Sequence, residues 1–198
     1  MELSTYNDKW NQVPKAVKAF IFKALTILII WKVVYLAFLL PARLIDKPLT
    51  YSVGSATAWV LNLCTNSPDF TTKSVVAGVA TDAGNTLMPL QKVYFRGQDI
   101  VSIEDTCNAL ELFILYAGFI ICMPAEKSRK ILFIVGGIVA IYIVNVLRCA
   151  GVAYLIIYDP KYADFAHHYV FTFIVYGFII ALWFIFSKKL ELANAEDQ

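Results

Sequence analysis

The 198-residue sequence predicts an all-α integral membrane protein with four main transmembrane helices, one short interfacial helix and a small outer β-hairpin. Three observations predict it. Of its residues 59% are hydrophobic and 16% charged, with a mean hydropathy of +0.64, a balance unlike that of soluble domains. The apolar residues fall into long runs, and a hydrocarbon core needs about 20 such residues per crossing helix. Basic residues gather at the ends of those runs, where they orient a membrane protein. A single membrane-embedded domain over 1–198 accounts for the length and leaves no room for a separate soluble one. The net charge of +2 gives no reason to invoke a nucleic-acid partner; the composition points to membrane lipid.

Met1 to Lys15 is polar and contains Pro14, so it reads as a tail or the start of an interfacial helix. The first span is expected over 17–40. No short apolar segment followed by a small-residue cleavage site interrupts it, so it should stay as an anchor. Lys9, Lys15, Lys18 and Lys23 flank its start and mark that end as cytoplasmic. Lys32 lies about 13 Å further along the helix than Lys23, near mid-membrane, where an ammonium should face other helices or water. Residues 41–106 form an outer segment. Its apolar run, Val53 to Leu63, is too short to cross and suits an interfacial helix. Lys92 to Phe95 and Asp99 to Ile103, on either side of Arg96-Gly97-Gln98, read as a hairpin.

The second span is expected over 108–123, closed by Pro124. The turn after it holds Lys127, Arg129 and Lys130, the strongest cytoplasmic marker in the chain. The third span is expected over 131–157, ended by Asp159-Pro160-Lys161, and the fourth over 165–186, stopped by Ser187-Lys188-Lys189 ahead of a polar tail. Four crossings put both termini and all three basic clusters on the cytoplasmic side. Counting Val53 to Leu63 as a fifth would turn the Lys127–Lys130 turn outward.

That topology places Cys107, Arg148 and the pair His167-His168 in one layer at the outer face. A thiolate attacks acyl carbons, and a neighbouring imidazole both activates the thiol and later protonates the leaving amine. A guanidinium keeps its charge and can stabilise the oxyanion or grip a carboxylate with two hydrogen bonds. These types together point to nucleophilic acyl chemistry. Plainer readings exist for each: Cys107 as a packing residue, Arg148 as an interfacial anchor, the histidines as markers of the water boundary. Cys64, Cys107, Cys122 and Cys149 lack the spacing of a zinc site, and no metal or other cofactor is expected. Cys107 and Cys149 could instead pair as a disulfide.

At these residues the chain resembles the exosortase/archaeosortase family of membrane cysteine transpeptidases, and most closely its compact exosortase F type. The resemblance rests on Glu104-Asp105-Thr106-Cys107-Asn108-Ala109, on Asn145-Val146-Leu147-Arg148, and on a histidine heading the last span within Phe165-Ala166-His167-His168-Tyr169-Val170-Phe171. It implies Cys107 as nucleophile, Arg148 and His167 or His168 as its partners, and Glu104, Asn108 and Asn145 in binding or support. It further implies a protease and transpeptidase of the inner (cytoplasmic) membrane, acting at the outer face on exported proteins with a C-terminal sorting tail. The acyl group would pass to an acceptor, and the family reading leaves room for a small partner subunit. Many members have glycine soon after the cysteine, where this chain has Ala109. Many also have glycine four residues after the histidine, where this chain has Phe171 or Thr172, so that landmark does not choose between the histidines. Two other classes compete: a non-enzymatic assembly or transport subunit with Lys32, Glu111 and Arg148 in one internal polar network, and a thiol-disulfide carrier using Cys107 and Cys149.

Overall fold

The structure, a computed structural model, describes residues 14–81 and 84–196. Residues 1–13 of the expected polar lead-in, with Lys9, lie outside the described residues, as do Asp197 and Gln198 of the expected tail. Three helical stretches are long and apolar enough to cross a membrane: Val17–Ala42, Lys127–Tyr158 and Pro160–Lys188. The chain is a multi-pass membrane protein.

Helix α1 (Lys15–Val34) opens directly behind Pro14 and runs through a π turn, Tyr35–Leu39, into a last turn, Leu40–Ala42. Pro41 supplies no N–H, and its ring crowds the carbonyl four residues back, so the wider turn sits where a proline forces it. Arg43 then takes a left-handed conformation, φ 47°, and turns the chain into α2 (Asp46–Thr65). This helix is longer than the interfacial helix expected over 53–63. It starts early because Pro48 falls in its first turn, where a missing N–H costs nothing. Its end is set by left-handed Asn66 with Pro68 beyond.

The all-α expectation is corrected by an antiparallel three-stranded sheet in the order β1-β2-β3, formed by β1 (Phe70–Thr81), β2 (Gly84–Phe95) and β3 (Gln98–Ile103). The expected hairpin is its β2–β3 half, turning at Arg96 and Gly97, both with positive φ. The missed strand is β1, which pairs with β2 along its whole length, Phe70 opposite Phe95 to Thr81 opposite Gly84. Asn62 ties β1 to α2, its side chain donating to the Phe70 carbonyl and accepting from the Phe70 N–H, each at 2.9 Å. At the turn, Ser67 and Arg96 hold the Asp69 carboxyl below the usual carboxylate range, and Asp99 pairs with Lys92 and raises its pKa.

Helix α3 (Leu110–Cys122) has 13 residues, so it is only ~20 Å long against a hydrocarbon core of about 30 Å. The second span expected over 108–123 is thus a shorter apolar helix, and three helices reach full crossing length. Its late start has a local cause: Ala109 is left-handed, φ 67°, and the Asn108 side chain accepts the Leu110 N–H at 2.9 Å. Helix α4 (Lys127–Tyr158) runs unbroken for 32 residues. Pro160 then begins α5 (Pro160–Phe165), which passes through a π turn, Ala166–Val170, into α6 (Phe171–Glu196). The tail expected after Lys189 is therefore helical as far as Glu196.

Burial falls into two clusters. One joins α2, the sheet and the later turns of α4 through Val53, Leu61, Phe70, Val93, Ile103 and Ala153. The other joins α3, α4 and α6 through Phe113, Tyr116, Ile141, Val175 and Phe186. Tyr116 lies where a Cβ on Gly137 would stand and donates its hydroxyl to the Phe133 carbonyl at 2.9 Å, which fixes α3 closely against α4. Cys107 packs against the first cluster and Ala109 lies in the second.

Candidate active site

Cys107 ends a 3-10 turn, Asp105–Cys107, rather than opening a helix, and is partly exposed. Its N–H donates to the Glu104 carbonyl at 2.9 Å, and the Thr106 hydroxyl lies 3.9 Å from its sulfur. From the other side, fully buried Asn145 donates its side-chain N–H to the Cys107 carbonyl at 2.8 Å. Arg148 stands three residues further along α4, on the same helix face, and its Nη2 is 3.3 Å from Nε2 of His167. One turn of one helix therefore touches both the cysteine segment and a histidine of the next membrane helix.

The two histidines, equivalent in the sequence, part here. His168 points toward Asp164, 3.4 Å away at four-residue spacing, with its side chain 62% exposed. His167 is half-buried against Arg148. The guanidinium has no acceptor to offer, so it donates, and Nε2 presents its lone pair with the ring proton on Nδ1. Phe171, four residues beyond His167, occupies the place where a Cβ on Gly151 would stand, 2.6 Å from its Cζ. The small residue that lets the helices approach is thus on α4, and the large one on α6.

Of the supporting residues expected from the sequence, Asn145 and Asn108 are buried and hydrogen-bonded. Glu104 contributes its backbone, while its neighbour Asp105 carries the side-chain contacts. Asp105 accepts both arms of Arg43, Nε at 2.8 Å and Nη2 at 2.6 Å, and the Thr50 hydroxyl at 2.8 Å. Arg43 Nη2 also donates to the Pro89 carbonyl at 2.9 Å. Asp46, 1% exposed, accepts from Asn108 Nδ2 at 3.0 Å and from the Tyr35 hydroxyl at 3.1 Å. These acids and Arg43 are absent from the expected site. The available signal was a cluster of polar residues, Arg43, Asp46 and Thr50, directly beyond an apolar run.

The polar network of the transport reading divides in two. Lys32 pairs with Glu111 at 2.8 Å, whereas Arg148 turns to His167. Cys107 and Cys149 are both free thiols, and Cys149 is buried. Among the described residues no group of three or more His, Cys, Asp or Glu side chains is placed to hold a metal ion.

The family model described as transmembrane exosortase matches residues 17–187. No curated protein and no solved structure matches the chain.

Proposed function

Since the chain belongs to the transmembrane exosortase family, a family of cysteine transpeptidases, we propose that it cleaves the C-terminal sorting tails of exported proteins and transfers the released acyl group to an acceptor. The observation that carries this reading is the pairing of Asn145 with Cys107 and of Arg148 with His167, three residues apart on α4.

In the proposed reaction Arg148 turns its guanidinium from His167 to the scissile carbonyl oxygen, which frees the Nε2 lone pair. His167 takes the Cys107 proton, and the thiolate attacks the carbonyl carbon. The oxyanion collapses, the C–N bond breaks, and the imidazolium gives its proton to the leaving amine. A thioester on Cys107 remains. An acceptor nucleophile then attacks it, loses its proton to His167, and restores the thiol.

The enzyme sits in the inner membrane with both termini cytoplasmic and the thiol toward the outer face. This is supported by the basic turn Lys127–Lys130 at the start of α4. Counted from Ile131, the first apolar residue of that helix, Asn145 lies ~21 Å up a core of about 30 Å. Both termini share one side because the short α3 (Leu110–Cys122) counts as a fourth crossing that begins inside the core, and its length gives a similar height for its own start. The thiol is therefore recessed below the outer boundary rather than at a fully open mouth. Partners under this reading are tail-bearing exported proteins and lipid, with a small partner subunit also accommodated.

Mass spectrometry of a tail-bearing exported protein tests the proposal, comparing cells with the wild-type enzyme and cells with Cys107→Ala. The expected result is mature, tail-free protein in the first and uncut protein in the second. Equal maturation in both would hand the case to the transport or assembly reading.

A further inference from the structure

We propose that the corner between α1 and α2 is a positioning device for the thiol, with Arg43 as its central positioning residue and Asp105 and Asn108 as the two points at which it grips the Cys107 turn. The inference rests on Cys107 being the nucleophile. The residues on either side of the Thr106-Cys107 pair are both held by this corner. Asp105 is gripped by the two-armed Arg43 contact and by Thr50. Asn108 donates to Asp46 and, at 3.3 Å, to Thr50. Thr50 belongs to both halves, so the grips form one connected network rather than two separate pairs.

Backbone conformation supports a built device. Arg43 and Ala109 both have positive φ, 47° and 67°, a conformation that L residues other than glycine hold at a cost and only where their surroundings over-determine it. One of these residues carries the guanidinium and the other follows Asn108, so each strained residue belongs to a gripped segment or adjoins it. Arg43 also donates to the Pro89 carbonyl of β2, which ties the grip to the sheet whose last strand leads into the turn. A two-armed arginine contact fixes direction as well as distance, which an ammonium does not. The network thus sets where the Cys107 sulfur stands relative to His167, while Asn145 holds the carbonyl of the same residue from the α4 side.

The test uses the full-length protein purified in detergent. Peptide-resolved mass spectrometry follows alkylation of Cys107 by iodoacetamide across a pH series, in wild type, Arg43→Lys and Asp105→Asn, normalised to folded protein. Processing of a tail-bearing substrate is measured in parallel, with Cys107→Ala included. The expected result is that both network variants shift the pH profile of Cys107 alkylation and lower kcat at least tenfold, with KM changed less than threefold. Lower accumulation with an unchanged alkylation profile and kcat per folded molecule would make the network a structural strut and overturn the inference. Processing by Cys107→Ala at the wild-type rate would instead remove the nucleophile reading. An inactive Cys107→Ala beside network variants of wild-type profile and rate would remove the positioning inference alone.

Discussion

On the α1–α2 side of Cys107, Arg43, Asp46, Thr50, Asp105 and Asn108 bond to one another, and Asp105 alone accepts three hydrogen bonds. On the α4 side, Asn145 and Arg148 each make one side-chain contact, and Asn145 Oδ1 and Arg148 Nε are buried without a hydrogen-bond partner among the described residues. Buried polar groups are otherwise nearly always paired. The two sides of Cys107 therefore do different work. A saturated network holds its shape, whereas a guanidinium N–H left over beside an imidazole, Arg148 Nε, is the kind of donor a developing oxyanion needs.

The largest effect should come from the unsaturated side. Arg148→Lys keeps the charge and loses the planar fork, so processing should fall by about 10²-fold or more while accumulation stays near wild type. His167→Ala should fall as far, and His168→Ala, whose ring faces Asp164, should stay within a few-fold. Combining Arg148→Lys with His167→Ala should add little if the groups act as a unit. Rate assays of the four variants check this, and an inactive His168→Ala beside an active His167→Ala would reverse the assignment.

A smaller effect should follow from changing the spacing between helices. Gly151→Ala drives a Cβ into the Phe171 ring; overpacking of this kind costs about 1–3 kcal/mol and should move His167 off Arg148. Thermal unfolding and processing should both fall, and Phe171→Leu added to Gly151→Ala should recover part of each. Away from the site, Lys32→Leu leaves Glu111 without its partner at a depth where a lone charge costs roughly 2.5–3.5 kcal/mol. Accumulation should drop, and Glu111→Gln in the same chain should restore it without altering the rate per molecule. The smallest effect belongs to Ala109→Gly. Relief of the left-handed conformation is offset by the added freedom of the unfolded chain and by the loss of a buried methyl, so the unfolding temperature should stay close to wild type, within about 1 kcal/mol.

The sequence conveyed the parts of this comparison that depend on long apolar runs. The expected spans at 17–40, 131–157 and 165–186 lie within helices of crossing length, because unbroken apolar residues and basic ends need no tertiary context. Helix α3 starts at Leu110 rather than at the expected 108 because Ala109 is left-handed, a backbone state that no composition announces. Strand β1 was hidden because the polar and small residues of Thr71 to Gly78 become a strand only against β2. The choice of His167 was hidden for a related reason. The π turn Ala166–Val170 widens the helix there, so the direction each histidine faces cannot be counted from an ideal helical repeat. Arg43 and Asp105 are 62 positions apart, and their pairing needs the whole bundle in place. What the resemblance supplied, the block around Cys107 and the block at Asn145 to Arg148, is what the fold joins through one hydrogen bond.

Whether Cys107 carries the acyl group is read by intact-protein and peptide mass spectrometry of the enzyme trapped by acid quench during processing of a tail-bearing substrate. A thioester on Cys107, carrying the substrate's N-terminal part, should be found, should be released by hydroxylamine and should accumulate when the acceptor is withheld. Substrate turnover with no adduct on Cys107 under acceptor starvation, or an adduct on another residue, would contradict that role for Cys107.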